Sequence, residues 1–494
     1  GAATAAAATL HGAQPSAQPR PRSPGPLVTQ EERQAHAVMA SLHPGLRGCI
    51  TSSGVEPRTV PPPEGLNTVR LLQACSKALA LSPKRAMSAA EKLYSAGFVS
   101  YPRTETTRYS AGFDVGAVLA EHRSHGEWGR IASALERRRR ADGKGGAPSR
   151  GRDAGDHPPI TPTRAASRAE LSKVGGVEWR VYEYICRHFL GSLGEPMRYT
   201  GQSCVVSFGH GAHFLYTDVW LEDAAFAGAM PWVLRDVGIR SGTASKRDEG
   251  GSGGGSGGSS GARLRLREGD EVRLASHRLV TSQTTPPPFL QEHDLLGLMD
   301  AHGIGTDASM ATHVSTISER GYSLVVDETG EPIRPPRPPR AGQSPPPRQR
   351  GRFLVPSPLG LGVVRALQAV EPELVSPHIR ATMESEVSKV ARGELEKNAV
   401  LERNVRFFHD KWQRVEEQMS QVQDVLGATL RPTRDHLREL KVNGCFPGAS
   451  TINDGRSNRD RAGAQGRRRN EVIGGGQRHW STGGNPKRYS SRGG

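Results

Sequence analysis

The sequence predicts a multidomain protein of the mixed α/β (α+β) class. The chain has 494 residues, which suggests about two to four domains at typical domain sizes. Apolar residues recur at helical spacing in several segments, and short strand-like runs alternate with them. Two low-complexity segments, one Gly/Ser-rich and one Pro/Arg-rich, interrupt the pattern. Several packed domains are therefore expected, separated by segments that cannot build a core.

The beginning of the chain changes from a low-complexity segment to an ordered one. Residues 1–26 are rich in Ala, Pro and Gln, a composition typical of disorder. GlnGluGluArg at 30–33 then opens a helical stretch, and Cys49 to Val55 has strand character.

The next segment carries clear signals for helix ends. Asn67 is a favourable N-cap, and Ser82-Pro83 predicts a second helix with Pro at its first position. Gly97 predicts the end of that helix, and residues 98–101 follow as a short strand or extended turn. Residues 136–152 are basic and Gly-rich, which favours a solvated loop.

The middle of the chain predicts one buried helix followed by strands. Aromatic and aliphatic residues at helical spacing place the helix near 176–191. Strands are expected at 204–208, 263–267 and 271–274, and a flexible Gly/Ser linker lies within 241–262.

The last third predicts helices and a basic end. Helices are expected at Gln291–His302 and over Val400–Met419, and residues 331–352 form a polyproline-like basic insertion. The tail from Thr451 has ten Lys and Arg against three acids and many Gly. This composition suits loose, salt-sensitive binding to nucleic acid.

The overall composition favours a polyanionic partner. The net charge is +16 and the isoelectric point is about 10.0. A basic surface kept for solubility is the alternative.

The five cysteines are scattered and form no CxxC pair, so we expect reduced thiols and no zinc ribbon. No apolar run is long enough for a membrane span. The start, without Met, is interpreted as internal.

One short motif carries candidate chemistry. In SerTyrProArgThrGluThr (100–106), the phenol of Tyr101 can attack a phosphodiester, and Arg103 can hold the phosphate with two hydrogen bonds. Seen alone, the same residues are also compatible with a surface turn.

Four motifs in order decide between these interpretations. The first is the tyrosine segment after AlaGluLysLeuTyrSerAlaGlyPheVal. AspAlaGlyAspHisProProIleThrPro (153–162), HisGlyIleGlyThrAspAlaSer (302–309) with ArgGlyTyr (320–322), and ProSerProLeuGlyLeuGlyVal (356–363) follow. Together they resemble type IA DNA topoisomerases of the topoisomerase III kind, in the eukaryotic beta-like branch. The resemblance runs from about Leu27 to Met419.

The resemblance implies a clamp-like fold in which a winged-helix-like tyrosine domain is inserted in a split β-rich gate domain. The domains it implies are 27–66 (first half of the gate domain), 67–175 (tyrosine domain), 176–285 (second half of the gate domain), 286–420 (helical DNA-binding domain) and 421–494 (basic Gly/Arg-rich tail).

The resemblance also implies residue roles. Tyr101 is the nucleophile that forms a 5′-phosphotyrosine link, Arg103 stabilises the phosphate, and Thr104 and Glu105 shape the site. His157 matches the family histidine near the scissile phosphate; a loop histidine held by the following prolines is the alternative.

A second group of implied site residues lies far along the chain. Gly303 and Gly305 would let the backbone approach a nucleotide, or would form a helix–turn–helix hinge. Thr306 and Asp307 would bind the nucleic acid, or would cap the next helix.

One family feature has no match. Type IA enzymes carry an N-terminal Toprim domain with an Asp-x-Asp cluster for Mg²⁺, and no Asp-x-Asp precedes Tyr101. We therefore expect no metal ligands in this chain, and a chain that is truncated and inactive alone.

The resemblance further implies single-stranded DNA as substrate, with RNA as a second possibility, a Tudor-domain partner, and a nuclear location with the cytoplasm as a second site. Two other functions stay open: a non-catalytic protein that binds single-stranded nucleic acid, and an adaptor whose Pro/Arg insertion binds SH3-like domains.

Overall fold

A computed structural model describes most of the chain. The described residues are 2–9, 30–143, 147–172, 176–209, 211–239, 265–283, 286–307, 309–333, 351–443 and 445–446. The Gly/Ser linker, most of the Pro/Arg insertion, the tail from Thr451 and residues 10–26 lie outside them, so those expectations stay predictions.

Helices dominate the described part of the chain. The α-helices are α1 Gln30–Ala40, α2 Thr68–Leu79, α3 Pro83–Ser95, α4 Val115–His122, α5 Gly129–Ala141, α6 Arg168–Ser172, α7 Gly176–Ser192, α8 Trp232–Asp236, α9 Glu292–Ala301, α10 Met310–Glu319, α11 Pro358–Val370, α12 Pro377–Ala391, α13 Lys397–Glu417, α14 Met419–Thr429 and α15 Thr433–Val442. The strands are β1 Ala2–Thr9, β2 Arg47–Val60, β3 Met197–Phe208, β4 Ala212–Asp223, β5 Glu271–Arg273, β6 Ser276–Gln283, β7 Ser323–Val326 and β8 Phe353–Pro356.

The main sheet joins two distant parts of the chain. Its strand order is β4-β3-β2-β5, and every neighbouring pair is antiparallel. The β2–β3 ladder runs from Gly48 opposite Phe208 to Val60 opposite Met197. Because β2 precedes the tyrosine segment and the other three strands follow it, the β-rich domain is split in sequence, as predicted.

Helices α2, α3 and α7 surround the core next to the tyrosine segment. Leu72, Leu93, Tyr182 and Phe189 are each at most 1% exposed in this core. The predicted helix ends are confirmed: the Asn67 side chain accepts a hydrogen bond from the amide of Arg70, and Pro83 is the first residue of α3.

Gly97 ends α3 in the left-handed conformation that the sequence predicts. Its φ is +76°, its amide donates to the carbonyl of Tyr94, and the Phe98 amide donates to the carbonyl of Leu93. This pair of bonds is a Schellman motif. It fixes the direction in which the chain enters the tyrosine segment.

Three expectations need correction. Residues 136–141 are the end of α5, where ion pairs such as Arg140–Glu136 support a helix despite the Arg run. Residues 265–267 form no strand. Ala2–Thr9, expected to be disordered, form β1 against β6, where the ladder supplies backbone hydrogen-bond partners.

The helical domain extends further than expected. The predicted Val400–Met419 helix ends at Glu417, and α14 starts at Met419. Helices α14 and α15 lie inside the expected tail 421–494, so the boundary at 420 is too early. The reason is tertiary packing: Leu437 and Phe446 are buried with residues of β7 and β8. No helix in the described ranges is long and apolar enough to cross a membrane.

Candidate active site

The tyrosine segment is an extended loop clamped between two other loops. The Ser100 amide donates to the Thr161 carbonyl at 2.9 Å, and Val99 pairs with Pro162. On the other side, the Gly65 amide donates to the Thr107 carbonyl at 2.9 Å. These bonds bring the 100–106 motif and the 153–162 motif together, although about 50 residues separate them.

Tyr101 packs against two other rings. Its ring centroid lies 4.5 Å from that of His157 and 5.1 Å from that of Tyr94, both in edge-on geometry. No described residue forms a hydrogen bond with the Tyr101 hydroxyl, and the residue is partly exposed. The phenol oxygen is therefore not held by any residue that the structure describes. Tyr94, which the sequence suggested only as a helix residue, is 45% exposed and belongs to the site.

Arg103 is paired with a residue that sequence reasoning missed. Its Nε and Nη2 atoms donate to Oε1 of Glu91 at 3.0 and 2.7 Å. Glu91 lies on α3, three residues before Tyr94, so the two share one face of the helix. The motif spacing contains no signal for this pair.

Thr104 is used inside the protein. It is fully buried, and its amide donates to the Thr68 hydroxyl at 2.8 Å. The Thr68 hydroxyl in turn donates to the Pro102 carbonyl at 2.7 Å, and the Thr104 hydroxyl donates to the His157 carbonyl. Thr104 thus shapes the site by holding the loop and does not face a substrate.

Asp156 organises the same loop and was also missed. Its carboxylate accepts hydrogen bonds from the Glu105 amide at 2.6 Å and from the Thr106 hydroxyl, and its Oδ1 atom lies 3.1 Å from the Thr104 hydroxyl oxygen. Burial works to raise the pKa of Asp156, but these hydrogen bonds outweigh it and leave the pKa below its usual range. The sequence signal that could have identified Asp156 is its position in the 153–162 motif, directly before His157.

Glu105 lies in an acidic environment. Burial is the largest cause that raises its pKa, and the charges of Asp307 and Asp156 add to it. Helices α9 and α10 pack against α2 and α3, the two helices that precede the tyrosine loop.

The turn after α9 has a structural explanation. Gly303 has φ +64°, its amide donates to the Asp300 carbonyl, and the Ile304 amide donates to the Met299 carbonyl, which is again a Schellman motif. Gly305 has φ +79°. Both glycines thus serve the turn between α9 and α10.

Neither Thr306 nor Asp307 caps α10. The N-cap is Ser309, whose hydroxyl accepts from the Thr306 amide at 2.9 Å, and no side chain caps the helix. The expectation that Thr306 or Asp307 caps α10 through its side chain is therefore wrong, and the alternative, binding of nucleic acid, stays a prediction.

Two further features limit the chemistry. Tyr109, the other tyrosine of the segment, is 4% exposed, bonds to the Ser192 hydroxyl, and has a pKa raised by burial to about 12. Within the ranges that the structure describes, no three His, Cys, Asp or Glu side chains converge as metal ligands. The residues that the structure describes therefore provide no set of ligands for Mg²⁺.

A partly exposed tyrosine that packs against a histidine and is followed two residues later by an arginine, together with a split sheet and a helical domain, is typical of type IA DNA topoisomerases. The family model described as "DNA topoisomerase" matches residues 26–333, and the chain belongs to this family. Its relatives include DNA topoisomerase 3-beta of Arabidopsis thaliana, 34% identical over 77% of this chain and 38% of the relative.

Other comparisons agree. DNA topoisomerase 3-beta-1 of Homo sapiens is 31% identical over 75% of this chain and 37% of its own length. The solved full-length topoisomerase I from Thermotoga maritima aligns with a TM-score of 0.53 at 20% identity, over 77% of this chain and 54% of that one. This structural similarity supports the type IA topoisomerase fold for the chain. The chain spans less than two-fifths of the length of these curated relatives.

Proposed function

We propose that this chain supplies the strand-cutting tyrosine and part of the DNA-holding surface of a topoisomerase III-like enzyme. The observation that carries the proposal is the contact between the rings of Tyr101 and His157, with Arg103 two residues further along the same loop. In phosphodiester cleavage a phenol can act as the nucleophile, a guanidinium can compensate charge on the phosphate, and an imidazole can transfer a proton.

In the proposed cleavage step, the Tyr101 oxygen attacks phosphorus and the bond from phosphorus to the 3′ oxygen breaks. The phenol loses its proton, the 3′ oxygen gains one, and the downstream strand stays attached through a 5′-phosphotyrosine. Arg103 compensates charge on the phosphate oxygens. Attack by the 3′ hydroxyl reverses each bond change, so that religation needs no external energy source.

The substrate proposed is single-stranded DNA, with RNA as a second substrate. The net charge of +16 supports a polyanionic partner. A nuclear location, a Tudor-domain partner and a requirement for Mg²⁺ held outside the described residues are proposed on the family resemblance.

The test is covalent trapping of a single-stranded oligonucleotide labelled at its 3′ end, since the downstream fragment keeps the protein link. It is performed on the chain and on a fusion that places a relative's Toprim domain before it. Tyr101→Phe should abolish the denaturant-stable adduct, because only the phenol oxygen can bond phosphorus.

Tyr109→Phe is the matched control and should keep the adduct, because Tyr109 is buried. An adduct that persists in Tyr101→Phe would contradict the assignment. Binding without any adduct in the fusion would favour the non-catalytic nucleic-acid-binding function.

A further inference from the structure

Helix α3 contacts both reactive side chains of the tyrosine loop. Tyr94 packs against the ring of Tyr101, and Glu91, one turn earlier, bonds Arg103. The loop reaches this helix face directly after the Schellman motif at Gly97. Helix α3 therefore helps to position both the Tyr101 phenol and the Arg103 guanidinium.

The Glu91–Arg103 pair is built so that another anion can replace the carboxylate. The Arg103 Nε and Nη2 atoms both donate to one oxygen of Glu91, Oε1. These two bonds therefore lack the bidentate geometry in which each N–H group binds its own carboxylate oxygen. The side chains are 42% and 27% exposed for Glu91 and Arg103. Solvent-accessible ion pairs contribute little stability, whereas a phosphate offers two oxygens to the two parallel N–H groups of a guanidinium.

We propose that Glu91 is a positioning residue that holds Arg103 in the free protein and yields it to a phosphate. That this phosphate is the scissile one rests on the proposed function. When the strand leaves, Glu91 binds Arg103 again and returns the guanidinium to its place against α3. The carboxylate therefore competes with the substrate for Arg103, and its removal strengthens phosphate binding.

The test uses the full chain and inorganic phosphate at constant ionic strength and pH 7. The NMR signal of the Arg103 Nε–H group, assigned by its loss in Arg103→Lys, reports phosphate binding directly. In Glu91→Gln, which keeps the shape and removes the charge, the Kd for phosphate should fall roughly three- to five-fold, the size expected for loss of an exposed ion pair.

Glu170→Gln is the matched control, because Glu170 pairs with Arg164 at a similar distance and exposure, 3.0 Å and 46%. It should leave the Arg103 titration unchanged. Should Glu91→Gln disturb the fold, Glu91→Asp, which withdraws the carboxylate by one methylene, should lower the Kd to a smaller extent.

An unchanged or higher Kd in Glu91→Gln, or in Glu91→Asp where that variant replaces it, overturns the proposal. A parallel titration with a single-stranded oligothymidylate separates this outcome from failure of the proposed function. If the oligonucleotide does not bind but the phosphate Kd still falls, the competition stands and the nucleic-acid function does not.

Discussion

The carboxylate of Asp156 accepts a hydrogen bond from the backbone amide of Glu105 at 2.6 Å. The two residues are 51 positions apart in sequence. Glu105 is part of the loop that carries Tyr101, and Asp156 directly precedes His157. This hydrogen bond is one of several that link the loop of the nucleophile to the loop of the imidazole.

Replacing this carboxylate should loosen the tyrosine loop. In Asp156→Ala the Glu105 amide loses its acceptor, and its hydrogen exchange should accelerate about ten-fold, the equivalent of one typical hydrogen bond of about 1.4 kcal/mol. Because the pKa of Asp156 is lowered, the carboxylate is charged at neutral pH and the bond is lost only as pH falls through that lowered pKa.

The measurement is exchange at pH 7 of a peptide covering residues 100–107. Asp153→Ala, three positions earlier, is the matched control, since the Asp153 side chain bonds only locally, to the Gly155 amide. Equal exchange in the wild type and Asp156→Ala would show that the loop is held by its other bonds.

Two glycines should respond to alanine for different reasons. A Cβ at Gly303 would meet nothing within 4 Å, so Gly303→Ala should cost only about 1 kcal/mol for the left-handed backbone. A Cβ at Gly360 would lie 2.1 Å from the Tyr322 carbonyl oxygen, which is backbone and cannot rotate away. Gly360→Ala should therefore cost more than about 3 kcal/mol.

Thermal unfolding of the two glycine variants, followed by circular dichroism, checks this order. If Gly303→Ala lowered the midpoint temperature more than Gly360→Ala, the packing of α11 against Tyr322 would be wrong.

The stability of the tyrosine domain should fall at acid pH through a buried histidine. The Nδ1 atom of His122 accepts from Nε1 of Trp128 at 3.1 Å, while its buried Nε2 atom has no partner within the described structure. Burial, followed by the charge of His125, lowers the pKa of His122 to about 4.

The sign follows from proton uptake. Between pH 6.5 and 4 the unfolded chain binds a proton that folded His122 does not, so stability falls over this window, by up to roughly 3 kcal/mol. His188, with a pKa lowered by burial to about 3, adds a similar loss. In His122→Asn, whose amide oxygen can accept from Trp128, the decline of the free energy of unfolding with falling pH should be less steep than in the wild type, as measured by urea unfolding at several pH values. A decline as steep as that of the wild type would contradict the assignment to His122.

The basic tail should add salt-sensitive affinity for single strands. Its ten Lys and Arg against three acids favour binding to phosphates. Removal of residues 451–494 should lower the slope of log K against log salt by about 0.7 for each phosphate that the tail neutralises. Fluorescence anisotropy with an oligothymidylate at several salt concentrations measures it, and an identical slope after truncation would mean that the tail does not touch the strand.

The sequence by itself was sufficient to predict several helix ends and turns. The Asn67 cap, the start at Pro83 and the turn at Gly97 depend on a residue and its near neighbours, so residue type and spacing were sufficient to predict them. The four ordered motifs likewise identified the family, because residue type and order along the chain carry that information, whereas the role of Tyr101 stays a prediction.

Tertiary structure alone decided how these parts are held together. The Glu91–Arg103 pair, the Asp156–Glu105 bond and the burial of Tyr109 depend on which helix and loop surfaces meet. Surface charges have no periodic signature, and a carboxylate in a loop looks the same in sequence whether it binds solvent or an amide 51 residues away. The end of the helical domain was misplaced for the same reason, because the burial of Leu437 against β7 and β8 is a long-range interaction.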